Sequence, residues 1–115
     1  MGELIYKIAR PSEWNEAVAA GVFTGSADDK RDGFIHFSTA AQVRATCEKY
    51  FAKEEWFFLV AVDPERLGLA PKWEPSRGGQ NFPHLYGTLP LALVFSVTEI
   101  HRGPDGKCLF PPDIA

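Results

Sequence analysis

A chain of 115 residues has room for one domain with a real core and not for two, so residues 1–115 read as a single domain. Hydrophobic residues make up 45% and charged residues 23%, and the formal net charge of -3 argues against a general binder of nucleic-acid backbones, which carries a basic face. No apolar run approaches the roughly 20 residues of a membrane-spanning helix, and Glu3 directly after Met1-Gly2 breaks any signal-peptide pattern. Cys47 and Cys108 stand far apart without Cys-x-x-Cys spacing, which speaks against a zinc ribbon or disulfide framework and predicts reduced thiols in a cytoplasmic protein.

In chain order, residues 4–9 predict an opening strand whose alternation sets Ile5, Lys7 and Ala9 opposite Leu4, Tyr6 and Ile8. Pro11-Ser12 predicts a helix start with Ser12 as cap, an apolar stripe of Trp14, Ala17 and Val18, and a stop at Gly21. Residues 24–32 predict a polar loop, and residues 34–38 a short strand. Thr39-Ala40-Ala41-Gln42 matches a capping box and opens a second helix, with Val43, Cys47, Tyr50 and Phe51 on one face. Residues 56–62 are apolar throughout and predict a central strand. Residues 63–68 predict a turn, Lys72-Trp73-Glu74 a short strand, and residues 91–100 a long one. The turn at residues 103–106 predicts an antiparallel return over residues 107–110. The sum is an α+β domain with two early helices.

Two polar stretches stand out. In Asp32-Gly33-Phe34-Ile35-His36-Phe37-Ser38-Thr39, strand alternation sets Phe34, His36 and Ser38 on one face, sends Ile35 and Phe37 to the core, and leaves His36 and Ser38 together where a helix begins, a place that suits anionic ligands. Thr39 reads first as a helix cap. In Asn81-Phe82-Pro83-His84-Leu85-Tyr86-Gly87, His84 and Tyr86 share a face while Leu85 turns inward. Imidazoles shuttle protons near neutral pH, and tyrosine offers a stacking face and a hydroxyl. Glu74 lies between Trp73 and Pro75, where aromatic neighbours would raise its pKa and suit it as a general base or a ribose acceptor; partnership with Arg77 is the plainer alternative. Arg77-Gly78-Gly79 offers a cation and free amides to a phosphate, without Walker or GxGxxG spacing.

Three site chemistries compete. His36, His84 and Glu74 match the composition of a facial metal triad, but no helical ligand spacing accompanies them and no metal is expected. Ser38 lacks the elbow and orienting acid of a nucleophile system. A nucleotide-like ligand held by histidines, hydroxyls and an aromatic face uses the most features at once.

The opening Leu-Ile-Tyr-Lys-Ile, then Asp-Gly-Phe-Ile-His-Phe-Ser-Thr, Trp-Glu and Phe-Pro-His-Leu-Tyr-Gly resemble, in this order and across nearly the whole chain, a family of small, mostly bacterial domains of unknown function, numbered nine-fifty-two. The family's fold resembles that of ADP-ribosyltransferases, a split mixed sheet with a cleft for NAD, and the His-Phe-Ser segment is similar to one in RNA 2′-phosphotransferases. The resemblance implies a transferase or hydrolase, of glycosyltransferase or ADP-ribosyltransferase type, with NAD as substrate. It implies that Lys7 falls near the first-strand ligand-binding position and that Ser38 and Thr39 border the ligand. The resemblance places His36 on the cleft as well; on the enzyme reading of the residues themselves, Arg77 and Tyr86 would also bind, and His36, His84 and Glu74 would be catalytic, handling protons or ribose hydroxyls. Where many transferases place a catalytic glutamate before a strand, this chain has Pro83-His84. The alternatives are a non-catalytic nucleotide or metabolite module, or a small protein-interaction domain.

Overall fold

In the computed structural model, which describes residues 3–76, 79–111 and 114, the chain runs β1 (Ile5–Ala9), α1 (Pro11–Ala20), β2 (Val22–Phe23), α2 (Ala27–Asp32), β3 (Ile35–His36) and β4 (Ser38–Thr39). It continues through α3 (Ala40–Tyr50), β5 (Trp56–Val62), β6 (Lys72–Pro75), β7 (Asn81–Leu85), β8 (Leu89–Pro90) and β9 (Val94–His101), with 3₁₀ turns at Pro64–Arg66 and Leu91–Leu93. The principal sheet has the order β4-β1-β5-β9; a second joins β3-β7-β6, and β2 pairs with β8.

The continuous apolar run of β5 follows from its central place, because both faces of the sheet are covered. Phe58, Val60 and Val62 pack with Ile5, Ala9, Trp14, Phe23, Ile35, Phe37 and Leu85 on the α1 side. Phe57, Leu59 and Ala61 pack with Tyr6, Ile8, Val43, Cys47 and Ile100 on the α3 side. Alternation in β1 divides its residues between the same two clusters, with Ile5 and Ala9 in one and Tyr6 and Ile8 in the other. Phe37 and Leu85 are each at most 2% exposed, and burial of such side chains contributes about 1.5–3 kcal/mol apiece.

Residues 24–32 are not a loop throughout: Ser26 caps α2, its hydroxyl accepting from Asp29 N at 3.2 Å while the Asp29 carboxylate accepts from Ser26 N at 2.8 Å. This is the capping-box device with Asp in the return position, concealed in sequence by the surrounding charge. Three helices therefore precede β5 rather than two, and pairing among the described strands is antiparallel throughout rather than mixed. Arg10, not Ser12, occupies the N-cap of α1, because Pro11 fits the first helical position, where no amide is needed. Val18 and Tyr50 lie exposed, since these short helices bury only a narrow stripe.

Residues 34–38 divide between two sheets, β3 pairing with β7 and β4 with β1, while Phe37 N donates to Pro83 O at 3.0 Å between them. The late strand starts at Val94 because Leu91 N bonds Gly21 O at 3.2 Å, fastening the preceding turn to the end of α1. The expected return over residues 107–110 is reduced to one bridge, Arg102 with Cys108.

The capping box at Thr39 is present, with Gln42 N donating to Thr39 Oγ1 at 3.3 Å and Thr39 N to Gln42 Oε1 at 3.0 Å. Thr39→Ala is expected to cost about 1 kcal/mol, read in a thermal melt as a Tm lower by about 5 °C. An unchanged Tm would mean that water replaces the cap.

Candidate functional site

The site is organised by a carboxylate absent from the residues expected to bind. Asp29, 2% exposed, accepts from Lys7 Nζ at 2.9 Å through Oδ1 and lies 2.8 Å from it through Oδ2. The same carboxylate accepts from Ser26 N, from His36 N at 3.1 Å, and meets His36 Nδ1 at 2.6 Å. Burial alone would raise its pKa. The His36 hydrogen bond, the Lys7 ammonium and the Ser26 amide outweigh burial and hold the carboxyl well below the usual range. With Asp29 ionised, His36 Nδ1 is the donor, which fixes the ring's orientation.

Local backbone makes this possible at two glycines. Gly25 has φ 115°, and a Cβ there would stand 2.9 Å from Asp29 Cβ, so a side chain would displace the carboxylate. Gly33, at φ 88°, ends α2 in the left-handed region and turns the chain into β3. One helical turn after Asp28, Asp32 Oδ2 lies 3.0 Å from His36 Nε2 while its carboxylate is also held by Arg31, so His36 stands between two carboxylates. The Arg31 hydrogen bond, partly opposed by desolvation, holds Asp32 below its ordinary pKa.

Strand register supplies the second histidine. His36 pairs directly with His84 across β3 and β7, and the two rings lie with centroids 5.5 Å apart. Phe34 stacks on His84 at 4.1 Å and also contacts the His36 and Tyr86 rings. Glu74 reaches His84 from β6: its Oε1 lies 2.9 Å from His84 Nδ1 and accepts from the Tyr86 hydroxyl at 2.8 Å. These two bonds lower the Glu74 pKa, the reverse of the rise expected from its aromatic neighbours, because hydrogen bonds to the charged form exceed desolvation at a partly exposed site. The Tyr86 hydroxyl is raised by the same Glu74 bond. Tyr86→Phe is expected to move the Glu74 carboxyl partway back up, measured by carbon-13 NMR titration. An unmoved titration would show that His84 alone sets it.

A cleft of about 210 Å³ opens between the two larger sheets, α2 and α3. Of the expected site residues, His36, Ser38 and His84 line it, together with Tyr6, Thr46 and Tyr50. Thr46 donates to Gln42 O at 3.2 Å, which leaves Ser38 Oγ as the donor in its 3.0 Å contact with Thr46. Lys7 stands behind Asp29, Glu74 and Tyr86 stand behind His84, and Thr39 serves as the cap of α3. Arg77 lies outside the described residues. Lys72 Nζ sits 5.0 Å over the Tyr86 ring, so one face of that ring is already covered. Among the described residues no group of three His, Cys, Asp or Glu is arranged to hold a metal ion, and no helix is long and apolar enough to cross a membrane.

Asp29 is a site residue that sequence reasoning missed, and Asp32 and Phe34, though within the first polar stretch, had no role assigned to them there. The Ser26-x-x-Asp29 box was the available signal for the first, and the four-residue step from Asp32 to His36 for the second.

Fold and site together define a small α+β domain with a polar cleft where two antiparallel sheets meet. The chain belongs to the family described as "Protein of unknown function (DUF952)", whose profile matches residues 8–97. It is similar to the crystal structure of protein CC0527 from Caulobacter crescentus, at 42% identity and a TM-score of 0.89, over 96% of this chain and 97% of that one. A crystal structure of a double mutant of CC0527 gives 41% identity and 0.88 over the same shares. The solution NMR structure of CC0527 gives 45% and 0.80, over 90% of each chain. None of the curated proteins matches.

Proposed function

We propose that the cleft binds the ribosyl portion of a nucleotide, NAD or ADP-ribose in class, and that His36 and His84 move protons in a transferase or hydrolase reaction there. The observation that carries this is the pairing of two carboxylate-oriented histidines on one cleft, His36 Nδ1 on Asp29 at 2.6 Å and His84 Nδ1 on Glu74 at 2.9 Å. A carboxylate on Nδ1 sets tautomer and ring orientation; Nε2 is then the nitrogen for proton exchange, and that of His36 lies 3.0 Å from Asp32 Oδ2, a partner a ligand would share or displace. The volume of about 210 Å³ is below the roughly 300–1,000 Å³ of sites that enclose a whole drug-sized ligand, so it suits one ribose with its attached ring while the remainder lies in the open. Ser38 and Tyr50 offer a hydroxyl and an aromatic surface along the same wall. The likeness of the His-Phe-Ser segment to the NAD-using transferases points the same way.

A specific observation favours a second reading, binding without turnover. Asp29, Asp32 and Glu74 are all held below their ordinary pKa by their partners, so none is tuned as a general base near neutral pH. Calorimetric titration with NAD, ADP-ribose and nicotinamide, followed by chromatographic assay of released nicotinamide, separates the two. Binding with release supports the enzyme, binding without release the module, and no binding by any of the three sinks both.

A further inference from the structure

On the face of the principal sheet away from Asp29, the only two cysteines of the chain meet. Cys47 on α3 and Cys108 after β9 are 61 positions apart in sequence, yet their sulfurs lie 2.9 Å from each other as free thiols. Sequence spacing gave no hint of this, because strand order and not chain distance brings the segment after β9 onto α3. Cys47 is completely buried in the cluster with Val43, Phe57 and Ile100, and Cys108 packs on the rim of that cluster, partly exposed. We propose that Cys47 and Cys108 are a thiol–disulfide redox site, which small-molecule disulfides oxidise to an intramolecular cross-link between α3 and the C-terminal segment.

The geometry asks little of the chain. A disulfide has its sulfurs about 2.05 Å apart, so the contact closes by less than about 1 Å. Arg102 already holds the neighbouring segments together, donating to the carbonyls of Phe51 at 2.6 Å, Glu54 at 2.7 Å and Gly106 at 2.9 Å. Ile114, 3% exposed, lies in the same cluster. Burial and the adjacent Cys108 sulfur push the Cys47 thiol up to about 12, so the accessible Cys108 starts the reaction. Its thiolate attacks an external disulfide RS–SR, forming Cys108–S–SR and expelling RS⁻, which takes up the proton Cys108 released. The Cys47 sulfur then attacks the Cys108 sulfur, the new S–S bond displaces the second RS⁻, and the Cys47 proton leaves with it as RSH. Two thiols are oxidised to one disulfide, and one external disulfide is reduced to two thiols.

The test exchanges the reduced, folded protein into oxidised glutathione and reads intact mass and free thiols after unfolding. The wild type is expected to end lighter by two hydrogens, with no free thiol and no attached glutathione. Cys47→Ser is expected to stop with one glutathione on Cys108, and folded Cys108→Ser to remain unmodified. Reduction of the oxidised wild type should lower Tm by about 10 °C, from the chain entropy that a long closed loop removes. Neither serine variant should show that drop. Persistent glutathione on the wild type, cross-linked dimers, or two thiols still titratable after long exposure would each overturn the proposal, and the wild-type mass decides it even if a serine variant fails to fold.

Discussion

Asp29→Asn is expected to be severely destabilised, by about 3–5 kcal/mol, because it leaves the Lys7 ammonium buried without a charge partner. Lys7 is 6% exposed and Asp29 2%, so water cannot take over that role. In a domain of this size the loss corresponds to a Tm lower by about 15 °C, measured by circular dichroism. Lys7→Met added to Asp29→Asn removes the stranded charge and should restore about 1–3 kcal/mol, a non-additivity diagnostic of direct contact. The pH dependence follows from the same carboxyl. Its folded pKa lies below the unfolded value of about 3.9, so its contribution is complete above that pH and is lost as pH falls through the folded pKa, in strong acid. The wild type should thus keep this part of its stability down to about pH 4 and lose it below, whereas Asp29→Asn should lack that acid limb. A variant melting within a degree or two of wild type would show that the buried pair contributes nothing.

If the cleft turns NAD over as proposed, His36→Asn and His84→Asn are expected to lower the rate of nicotinamide release by about 10²–10⁴-fold each, the usual worth of a positioned proton-transfer group. Asparagine is chosen because its amide can donate to Asp29 or Glu74 from near the position of Nδ1, so the neighbouring carboxylates keep a partner. Thermal melts accompany the assay: a large loss of rate with a small change in Tm assigns chemistry to the rings, whereas parallel losses assign them to structure. Full turnover in both variants would remove the histidines from the mechanism. His101 is the internal control, since it stacks on Trp56 and bonds Glu99 on the exposed end of β9, away from the cleft.

Local patterns carried much of the architecture. The unbroken apolar run of β5 announced a strand covered on both faces, the box at Thr39 announced α3, and Gly21 marked the end of α1. Alternation placed Ile35, Phe37 and Leu85 in the core and His36 and Ser38 on the cleft. Two of the failures share one cause. Residues 24–32 are so charged that composition masked a six-residue helix held by its cap and by a tertiary ion pair with Lys7. Propensity weighs such a segment as a loop, and the buried contact reverses the balance. Glu74 was misjudged for a similar reason: its sequence neighbours are Trp73 and Pro75, but its carboxylate is hydrogen-bonded to His84 and Tyr86.

The α+β class, the central strand, and the faces on which His36 and His84 stand were legible in the sequence, because strand and helix periods are properties of consecutive residues. That His36 opposes His84, that Asp29 joins Lys7 to His36, and that Cys47 touches Cys108 emerges from the folded chain alone. Those pairings span 48, 22, 7 and 61 positions and depend on strand order and register, which no local pattern encodes.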